Sequence, residues 1–339
     1  AGYQGASFHA SVSLPRSGPL EFSMSSPRTR PLARMLSLAC FLPCSLATIV
    51  SHHPPRFGRA HTLRCCAEAA NVAIITGGSG GIGLATARRL AAQGFDCVLA
   101  YGSNDEAAAS ARSELEVAHG VRVRTVKGDL TEHESREATV AEIFRVVDDE
   151  LGGTVAAFVH AAGFFYDGLL SHHFAGACET FEVYDAYQSI YPKAFVNLAE
   201  GCVKRMADGQ GKLVCVTNPG CNSAQTPRVG YDMPGQGKAT MEFLVRMYAA
   251  RLAARRLCVN AVSPGYTDTK EWDKARLAMG GGDMEVGRQR LDDKMLSRSP
   301  MKRWAAADEI AQSIAFLCSE QSGLITGVTL PVDGGLHMT

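Results

Sequence analysis

The feature that most constrains this chain is a glycine-rich turn between an apolar run and a helical pattern. Residues 71–75 read Asn-Val-Ala-Ile-Ile, and Thr-Gly-Gly-Ser-Gly-Gly-Ile-Gly follows at 76–83. The next residues, 84–90, have the composition of a helix. Glycines allow a tight turn whose main-chain N–H groups approach an anion at the helix N-terminus, where the helix dipole favours negative charge. The order strand, glycine turn, helix therefore predicts the first half of a βαβ unit that binds the pyrophosphate of a dinucleotide.

Short apolar runs alternate with longer amphipathic stretches through the rest of the chain. We expect strands at 71–76, 96–101, 121–127, 155–160, 211–217, 257–262 and 327–332, and helices at 81–93, 104–119, 131–150, 176–207, 235–256 and 306–319. The strands are rich in Val, Ile, Leu and Ala without alternation, as in a parallel sheet buried on both faces. The sequence therefore predicts an α/β fold: a single doubly wound Rossmann domain over residues 70–339, with a parallel seven-stranded sheet and helices on both faces.

Residues 1–69 have the composition of a targeting segment rather than of a folded core. They contain seven Arg, no Lys and two acidic residues, and their apolar run at 35–50 is interrupted by Pro43. Such a run fits the core of a signal peptide better than a membrane span, and a basic stretch follows it at 51–64. We expect a largely disordered transit segment that directs import into a plastid (chloroplast), without stable membrane insertion. A mitochondrial or cytoplasmic location is the alternative.

Composition and charge exclude several classes of protein. Of the 339 residues, 46% are hydrophobic and 20% charged, and the formal net charge is +0, as in a globular protein with a large core. Because the N-terminal segment is basic, residues 70–339 are mildly acidic, which removes the electrostatic basis for binding nucleic acid. The eleven cysteines have no zinc-ligand spacing with histidine, so we expect no metal. Cys221 lies near the candidate site, but no motif is evident that would activate its thiol.

Five motifs in order resemble those of the short-chain dehydrogenase/reductase family, and the resemblance covers residues 70–339. The family's turn Thr-Gly-x3-Gly-x-Gly lies at 76–83, and its acidic residue after the third strand is Asp129. Its Asn-Asn-Ala-Gly is replaced by His-Ala-Ala-Gly at 160–163, Val-Asn-x-Val-x-Pro-Gly lies at 259–265, and the C-terminal motif reads Ile-Thr-Gly at 325–327 and Val-Asp-Gly-Gly at 332–335. The resemblance implies that Asp129 meets the adenine and that Thr269 contacts the nicotinamide side. We expect His160 to fix the main chain near the coenzyme rather than to bind a metal. The expected coenzyme-binding residues are Thr76, Gly77, Ser79, Gly81, Ile82, Gly83, Tyr101, Ser103, Asn104, Asp129, Leu130, Ala161, Ala162, Gly163, Lys238, Pro264, Gly265, Thr267 and Thr269.

The end of the second predicted strand bears on the choice of coenzyme. Relatives that bind NAD place an acidic residue there, which holds both ribose hydroxyls and repels a 2′-phosphate. Here the equivalent position, 18 residues beyond Gly83, is Tyr101, and the next acidic residue is Asp105. Ser103 and Asn104 can donate hydrogen bonds to a phosphate, although no Arg lies in this turn. We expect NADP(H) as the coenzyme, with NAD(H) as the alternative.

The candidate catalytic pair departs from the family's usual Tyr-x3-Lys. Lys238 is the evident lysine, but Pro234 stands four residues before it, and the nearest tyrosine, Tyr231, makes the spacing Tyr-x6-Lys. On a helix, residues seven apart are separated by about 10.5 Å along the axis, against about 6 Å for residues four apart. The phenol is then one turn further from the ammonium. Because Pro234 disfavours helical geometry at Met233, we expect Tyr231 to precede the helix.

Two further catalytic positions of the family are also changed. Asn218 occupies the place of the serine, 13 residues before Tyr231. An asparagine can donate a hydrogen bond to a developing oxyanion but cannot relay a proton as a hydroxyl does. The family's helix asparagine is absent, since residues 189–193 read Ser-Ile-Tyr-Pro-Lys. Tyr191 and Tyr187 are alternative acids.

The resemblance implies an NAD(P)-dependent short-chain dehydrogenase/reductase, similar overall to 3-oxoacyl-acyl-carrier-protein reductases. We expect hydride transfer to or from a carbonyl or alcohol substrate. Tyr231 supplies or accepts the proton, Lys238 holds the ribose hydroxyls and lowers the pKa of the tyrosine, and Asn218 orients the carbonyl oxygen. The Tyr-x6-Lys spacing instead resembles enoyl-acyl-carrier-protein reductases, which reduce a carbon–carbon double bond. The altered catalytic pattern leaves two other interpretations: a coenzyme-binding assembly or redox-sensing subunit without catalysis, and a non-redox isomerase or dehydratase.

Partners follow from the same resemblance. We expect a small-molecule substrate, with an acyl thioester as one candidate. We expect a homodimer or homotetramer, because relatives pair the helices near 176–207 and 235–256. Residues 265–302 follow the end of a strand and contain three consecutive glycines and many charges, so we expect them to form a substrate lid over the ligand crevice.

Overall fold

The computed structural model of the protein describes residues 71–163, 181–228 and 231–339. The predicted targeting segment lies outside the described residues, as does the beginning of the helix predicted at 176–207. Within the described ranges, strands and helices alternate along the chain as the hydrophobic pattern predicts. The strands are β1 (Asn71–Thr76), β2 (Asp96–Tyr101), β3 (Val123–Lys127), β4 (Thr154–His160), β5 (Lys212–Val216), β6 (Cys258–Pro264), β7 (Thr267–Asp268), β8 (Ala305–Ala306) and β9 (Thr329–Val332).

Seven of these strands form one parallel sheet in the order β3-β2-β1-β4-β5-β6-β9, while β7 and β8 pair separately. The direction of winding reverses between β1 and β4, which are neighbours in the sheet although β2 and β3 separate them in the chain. In open α/β sheets, ligands bind outside the carboxyl ends of the strands at such a reversal point. The predicted doubly wound α/β fold with seven parallel strands is confirmed.

The helices cover both faces of the sheet. They are α1 (Gly81–Ala92), α2 (Asp105–His119), α3 (His133–Arg145), α4 (Glu182–Gln188), α5 (Ala194–Val203), α6 (Asp232–Leu252), α7 (Asp273–Gly280), α8 (Met284–Leu296) and α9 (Ala307–Leu317). A π-helical turn, Ser189–Lys193, joins α4 to α5, and a second one, Val146–Leu151, extends α3. None of the helices in the described ranges is both long and apolar enough to cross a membrane.

Two hydrophobic clusters lie on opposite faces of the sheet. One packs α3, α5 and α6 against the sheet, and the other packs α1, α2 and α9 against it. The five residues of β1 from Val72 to Thr76 are fully buried, which explains why that strand shows no alternation of polar and apolar residues. The buried sheet thus holds the carboxyl ends of β1, β4, β5 and β6 in fixed positions beside one another.

The beginning of α6 differs from the prediction. The helix starts at Asp232 rather than at residue 235, and Met233 is helical although Pro234 follows it. A proline is tolerated in the first turn because its missing N–H would have no partner within the helix. Tyr231 is the N-cap residue, with φ −119° and ψ 30°, so it precedes the helix as expected.

Candidate active site

In the glycine turn after β1, main-chain segments lie so close together that a side chain would not fit between them. Gly77 has a φ of 69°, and a Cβ at this residue would lie 2.9 Å from the carbonyl oxygen of Ala161 at the end of β4. A Cβ on Gly83 would lie 2.1 Å from the carbonyl oxygen of Gly77, so a side chain at either position would push the turn apart. Helix α1 begins at Gly81, and no side chain caps its first turn and no acidic residue lies in it. The first N–H groups of α1 therefore fit a diphosphate, and Ser79 and Ile82 lie in the same turn.

A buried histidine ties this turn to the second half of the sheet. The Nε2 of His160 lies 2.9 Å from the carbonyl oxygen of Ile190, and because a carbonyl only accepts, Nε2 carries the proton. Nδ1 then accepts a hydrogen bond from the hydroxyl of Thr76 at 2.8 Å, and Thr76 Oγ1 accepts from the N–H of Ala162 at 3.1 Å. Burial lowers the pKa of His160 to about 4, so the ring is neutral. His160 thus fixes the main chain around the coenzyme crevice, as expected, and no metal is needed to explain it.

The adenosine end of the crevice contains a cation that sequence reasoning missed. Lys127 is the last residue of β3 and pairs in register with Tyr101 at the end of β2. Asp105 accepts hydrogen bonds from the Tyr101 hydroxyl and from Lys127 Nζ, both at 2.8 Å. This contact lowers the pKa of Asp105, first through Lys127 and then through Tyr101. The register of β2 and β3 thus places a cation, Lys127, beside the turn after β2, where Asp105 pairs with it.

The neighbouring predicted residues have local roles as well. Asn104 uses its side-chain oxygen to cap α2 through the N–H of Ala107, at 2.9 Å, which leaves its amide N–H groups as donors; Ser103 beside it is exposed. Asp129 is exposed, and one of its oxygens accepts from both the N–H and the hydroxyl of Thr131, at 2.8 and 2.7 Å. Leu130 is buried and its carbonyl oxygen accepts a hydrogen bond from Ser189 at 3.0 Å. This bond joins the end of β3 to the π-helical turn Ser189–Lys193.

The residues that follow β6 close the other side of the crevice. A Cβ on Gly265 would lie 2.8 Å from the Cα of Asp333, so the chain can turn closely only with glycine at this position after Pro264. Thr267 is buried and donates to the carbonyl oxygen of Gly265 at 3.0 Å. The methyl group of Thr269 lies 3.4 Å from the position of a Cβ on Gly81. Thr269 therefore faces the start of α1, which is the geometry that a contact with bound coenzyme requires.

Tyr231 lines a cavity of about 290 Å³ at the N-terminus of α6. The other residues that line it are Pro219, Gly220, Cys221, Pro227, Arg228, Asp232, Gly235, Gln236 and Ala239. The pKa of Tyr231 is raised well above 10, first by burial and then by the neighbouring Tyr191, Cys221 and Tyr187. We expected Lys238 to lower this pKa, and the direction found here is the opposite, because burial of the phenol disfavours its charged form. Tyr231 therefore keeps its proton at neutral pH, and its phenolate form is scarce.

Lys238 lies one turn and a half into α6 and is partly buried. Its Nζ donates a hydrogen bond to the carbonyl oxygen of Thr217 at 3.3 Å, just beyond β5. Burial lowers the pKa of Lys238, while Cys221, Cys215 and Glu242 oppose that shift. The helix and β5 together hold the ammonium at the carboxyl edge of the sheet, where the family pattern places its lysine.

Asn218 and Glu242 shape the loop between β5 and α6. Asn218 is partly exposed, and its side-chain amide has no hydrogen-bond partner among the described residues, so its donors are available to a ligand. Glu242 is 4% exposed, and its Oε2 accepts from Asn222 Nδ2 at 2.9 Å and from the Thr329 hydroxyl at 3.0 Å. Sequence reasoning missed Glu242, which fastens this loop to both α6 and β9.

Cys221 is not suited to nucleophilic catalysis. Its side chain is 7% exposed, and burial raises the pKa of its thiol to about 12. A thiolate, not a thiol, is the reactive form, and it is scarcely populated at such a pKa. Cys221 therefore contributes packing beneath the cavity.

The sequence profile of the family described as "Enoyl-(Acyl carrier protein) reductase" matches residues 77–337. An acetoacetyl-CoA reductase of Allochromatium vinosum is 28% identical over 79% of this chain and 99% of its own length. A 1-cyclohexenylcarbonyl-CoA reductase of Streptomyces collinus is 30% identical over 80% of this chain and 89% of its own length. Among solved structures, L-sorbose reductase of Gluconobacter frateurii, complexed with NADPH and L-sorbose, has a TM-score of 0.70 at 28% identity and covers 80% of this chain and 98% of its own.

Proposed function

The chain belongs to the short-chain dehydrogenase/reductase family of NAD(P)-dependent oxidoreductases, and we propose that it is an NADPH-dependent reductase of the ketone in a 3-oxoacyl thioester. The similarity to an acetoacetyl-CoA reductase along almost the full length of that enzyme supports the substrate class. The observation that carries the proposal is that Tyr231, a protonated phenol, lines a cavity whose wall includes Pro219, the residue after Asn218.

The coenzyme is NADP(H). The turn after β1 and the uncapped start of α1 fit its diphosphate. Residue 101 is a tyrosine, not the acidic residue that NAD-binding relatives have at this position. Lys127 and the amide of Asn104 can bind a 2′-phosphate when Lys127 exchanges its bond to Asp105 for one to the phosphate. The similar L-sorbose reductase is a complex with NADPH, which supports the same choice. When bound, the coenzyme supplies the hydride.

Tyr231 delivers the proton. Its raised pKa keeps it protonated at neutral pH, and an alkoxide formed from a ketone is far more basic than a phenolate, so proton transfer from the phenol is favourable. The same shift makes the phenolate, which the reverse reaction requires, scarce at neutral pH. At that pH Tyr231 is therefore in the form that reduction requires.

Asn218 and Lys238 prepare the site for that step. The amide N–H groups of Asn218 have no protein partner among the described residues and can donate to the carbonyl oxygen, where charge develops. Lys238 keeps two of its three N–H donors beyond the bond to Thr217, and these are available to the ribose hydroxyls of the coenzyme. In this arrangement an amide and a phenol polarise the carbonyl, where the usual family pattern uses a serine and a phenol.

Reduction of an enoyl thioester is the second candidate. The Tyr-x6-Lys spacing, the description of the matched family and the similarity to a 1-cyclohexenylcarbonyl-CoA reductase favour it. In that reaction Tyr231 holds the thioester carbonyl by a hydrogen bond while the double bond is reduced. The same cavity and the same residues serve either substrate, so the two reactions differ in which carbon faces the coenzyme.

A parallel assay decides between these functions. Oxidation of NADPH is followed with acetoacetyl-CoA and with crotonyl-CoA, using protein that begins near Glu68. We expect turnover of acetoacetyl-CoA. Turnover of crotonyl-CoA alone would assign the enoyl reductase. If neither is turned over while NADPH still binds tightly, the chain is a coenzyme-binding subunit rather than a reductase of short thioesters.

A further inference from the structure

The Lys238 ammonium lies over an aromatic ring. Its Nζ is 5.0 Å from the centroid of the Tyr191 ring, within the range of a cation–π interaction. Among the described residues no ion pair of this ammonium is found, and its hydrogen bond goes to the neutral carbonyl of Thr217. Burial lowers the pKa of Lys238, and the carboxylate of Glu242, one turn further along α6, opposes that shift without reversing it. Beside the carbonyl oxygen of Thr217, the face of the Tyr191 ring is thus a second group of negative potential next to the ammonium.

Tyr191 is held rigidly in this place. It is 3% exposed and stacks on Tyr187, with ring centroids 5.8 Å apart and planes 12° apart. A Cβ on Gly237 would lie 3.0 Å from Cδ2 of Tyr191, so only a glycine lets α6 approach the ring this closely. The ring therefore lies between Tyr187 and the helix that carries Lys238.

Hydrogen bonds from neighbouring residues of the candidate site fix the main chain that carries Tyr191. Tyr191 belongs to the π-helical turn Ser189–Lys193, which contains Pro192. His160 of β4 donates to the carbonyl of Ile190, the residue before Tyr191, and the Ser189 hydroxyl donates to the carbonyl of Leu130 in the loop after β3. One strand and the loop after another thus anchor the turn. This is also where the family's helix asparagine is absent.

We propose that Tyr191 is a positioning residue, whose ring face holds the ammonium of Lys238 at the carboxyl edge of the sheet. A cation taken partly out of water needs a partner, and a desolvated cation–π contact is among the stronger ones that a neutral side chain can offer. The ring, rather than the hydroxyl, does this, which distinguishes the proposal from a role of Tyr191 as an acid. The expected effect on kcat/KM rests on the proposed function. The expected effect on the pKa of Lys238 needs no substrate.

Three variants separate the possibilities. Tyr191→Phe keeps the ring and removes the hydroxyl, whereas Tyr191→Leu removes the ring. Phe144→Leu is the matched control, because Phe144 is a buried ring that also lies under a cation, with Arg205 Cζ at 4.4 Å, but lies on α3. Thermal unfolding of each variant shows whether it is folded before any other measurement.

The first measurement is the titration of Lys238 in coenzyme-free protein, by NMR of 13C-labelled lysine. Loss of the ring destabilises the ammonium, so we expect the pKa of Lys238 to fall in Tyr191→Leu and to stay close to that of the parent in Tyr191→Phe and Phe144→Leu. The other groups that face this ammonium are Cys215 on β5, Cys221 in the following loop, Glu242 on α6 and neutral His160 on β4, and all are unchanged in these variants. An unchanged titration in a folded Tyr191→Leu protein would overturn the proposal.

The second measurement is the pH dependence of kcat/KM, together with the NADPH dissociation constant. For Tyr191→Leu we expect kcat/KM to fall about tenfold and its alkaline limb to move to lower pH, since the ammonium is lost earlier as pH rises. For Tyr191→Phe we expect values within about threefold of the parent. If Tyr191→Phe is impaired as severely as Tyr191→Leu, the hydroxyl acts and the proposal fails. Should the parent protein turn over no thioester, the proposed function fails, and the NMR titration still tests the role of Tyr191.

Discussion

At the scale of single residues, Tyr231 and Lys238 work from different structural elements. Tyr231 caps α6 from outside the helix, whereas Lys238 lies within it and bonds to the chain beyond β5. The burial that raises the pKa of the phenol and the burial that lowers the pKa of the lysine have one cause, which is the cost of a charge in surroundings poor in water. The protonation state of Tyr231 therefore depends on its burial more than on contact with Lys238.

Replacement of Tyr231 by Phe tests the proton donor. We expect kcat with the accepted thioester to fall about 100- to 1,000-fold, with little change in the dissociation constant for NADPH, because the phenol contributes to the reaction and not to the coenzyme cradle. Tyr248→Phe is the control, since Tyr248 lies on the same helix and bonds to Glu200 at 2.6 Å rather than lining the cavity. A Tyr231→Phe enzyme that keeps full kcat would show that another group delivers the proton.

Lys127 determines the choice between coenzymes in our interpretation. We expect Lys127→Ala to weaken NADPH binding about five- to tenfold and to leave NADH binding nearly unchanged, because only NADPH carries the 2′-phosphate. Asp105→Asn should tighten NADPH binding about threefold, since the competing carboxylate is lost. Fluorescence titration at low and high salt measures both, with Arg124→Ala, which removes a cation bonded to Glu150 from the same strand, as control. Equal weakening of NADH and NADPH in Lys127→Ala would contradict this role.

At the scale of elements, the π-helical turn between α4 and α5 depends on a buried histidine of β4. His160 is neutral in the folded protein because its pKa is about 4, whereas an exposed histidine in the unfolded chain has a pKa near 6.5. Between these values only the unfolded chain takes up the proton. Folding stability is therefore lost as pH falls from about 6.5 to about 4, and this single group accounts for about 3 kcal/mol of that loss.

The variant His160→Asn, which introduces the residue usual in the family, tests this dependence. Urea unfolding at pH 7 and pH 4 gives the loss of unfolding free energy for each protein. We expect the loss to be smaller by about 3 kcal/mol in the variant, because asparagine does not titrate. If both proteins lose the same unfolding free energy between pH 7 and pH 4, groups other than His160 cause the acid sensitivity.

Element boundaries show where local sequence patterns are sufficient. The seven strands of the sheet were predicted to within two residues, because each is bounded by a change in the period of hydrophobic residues. The short strands β7 and β8 and the helices α7 and α8 were not predicted. The helix predicted at 176–207 begins outside the described residues and is interrupted by the π-helical turn Ser189–Lys193. The start of α6 was predicted too late, since the proline that argued against helix falls in the one turn that tolerates it. The predicted lid at 265–302 contains α7 and α8, and its closure over a substrate stays a prediction.

At the scale of the whole molecule, α6 presents two large apolar side chains to solvent, of which Phe243 lies under the guanidinium of Arg246 on the same helix. Phe243 and Met247 are four residues apart on α6 and are 53% and 54% exposed. Residues at this spacing lie on one face of a helix, and large exposed apolar side chains that cluster are typical of an interface. A second copy of the chain, paired through α6, is the occupant that the family resemblance implies.

Sedimentation velocity tests that assembly. We expect the parent protein to sediment as a dimer or tetramer, and the double variant Phe243→Glu and Met247→Glu to sediment as a smaller species, because two buried charges oppose the contact. Phe316→Glu, a change at a 41%-exposed residue of α9, is the control for added charge. A parent protein that is monomeric at all concentrations would exclude this interface.

The sequence alone was sufficient for the α/β class, the strand and helix pattern, the diphosphate turn and the identities of Tyr231, Lys238 and Asn218 as candidates. These depend on local rules: the period of hydrophobic residues, the conformational freedom of glycine, and the spacing of motifs along the chain. The tertiary structure alone decided which groups surround them. Lys127 reaches Tyr101 through strand register, and Tyr191 reaches Lys238 because α6 packs on a π-helical turn 47 residues earlier in the chain. The pKa values of Tyr231 and His160 follow from burial, a property of the assembled fold that no single stretch of sequence contains.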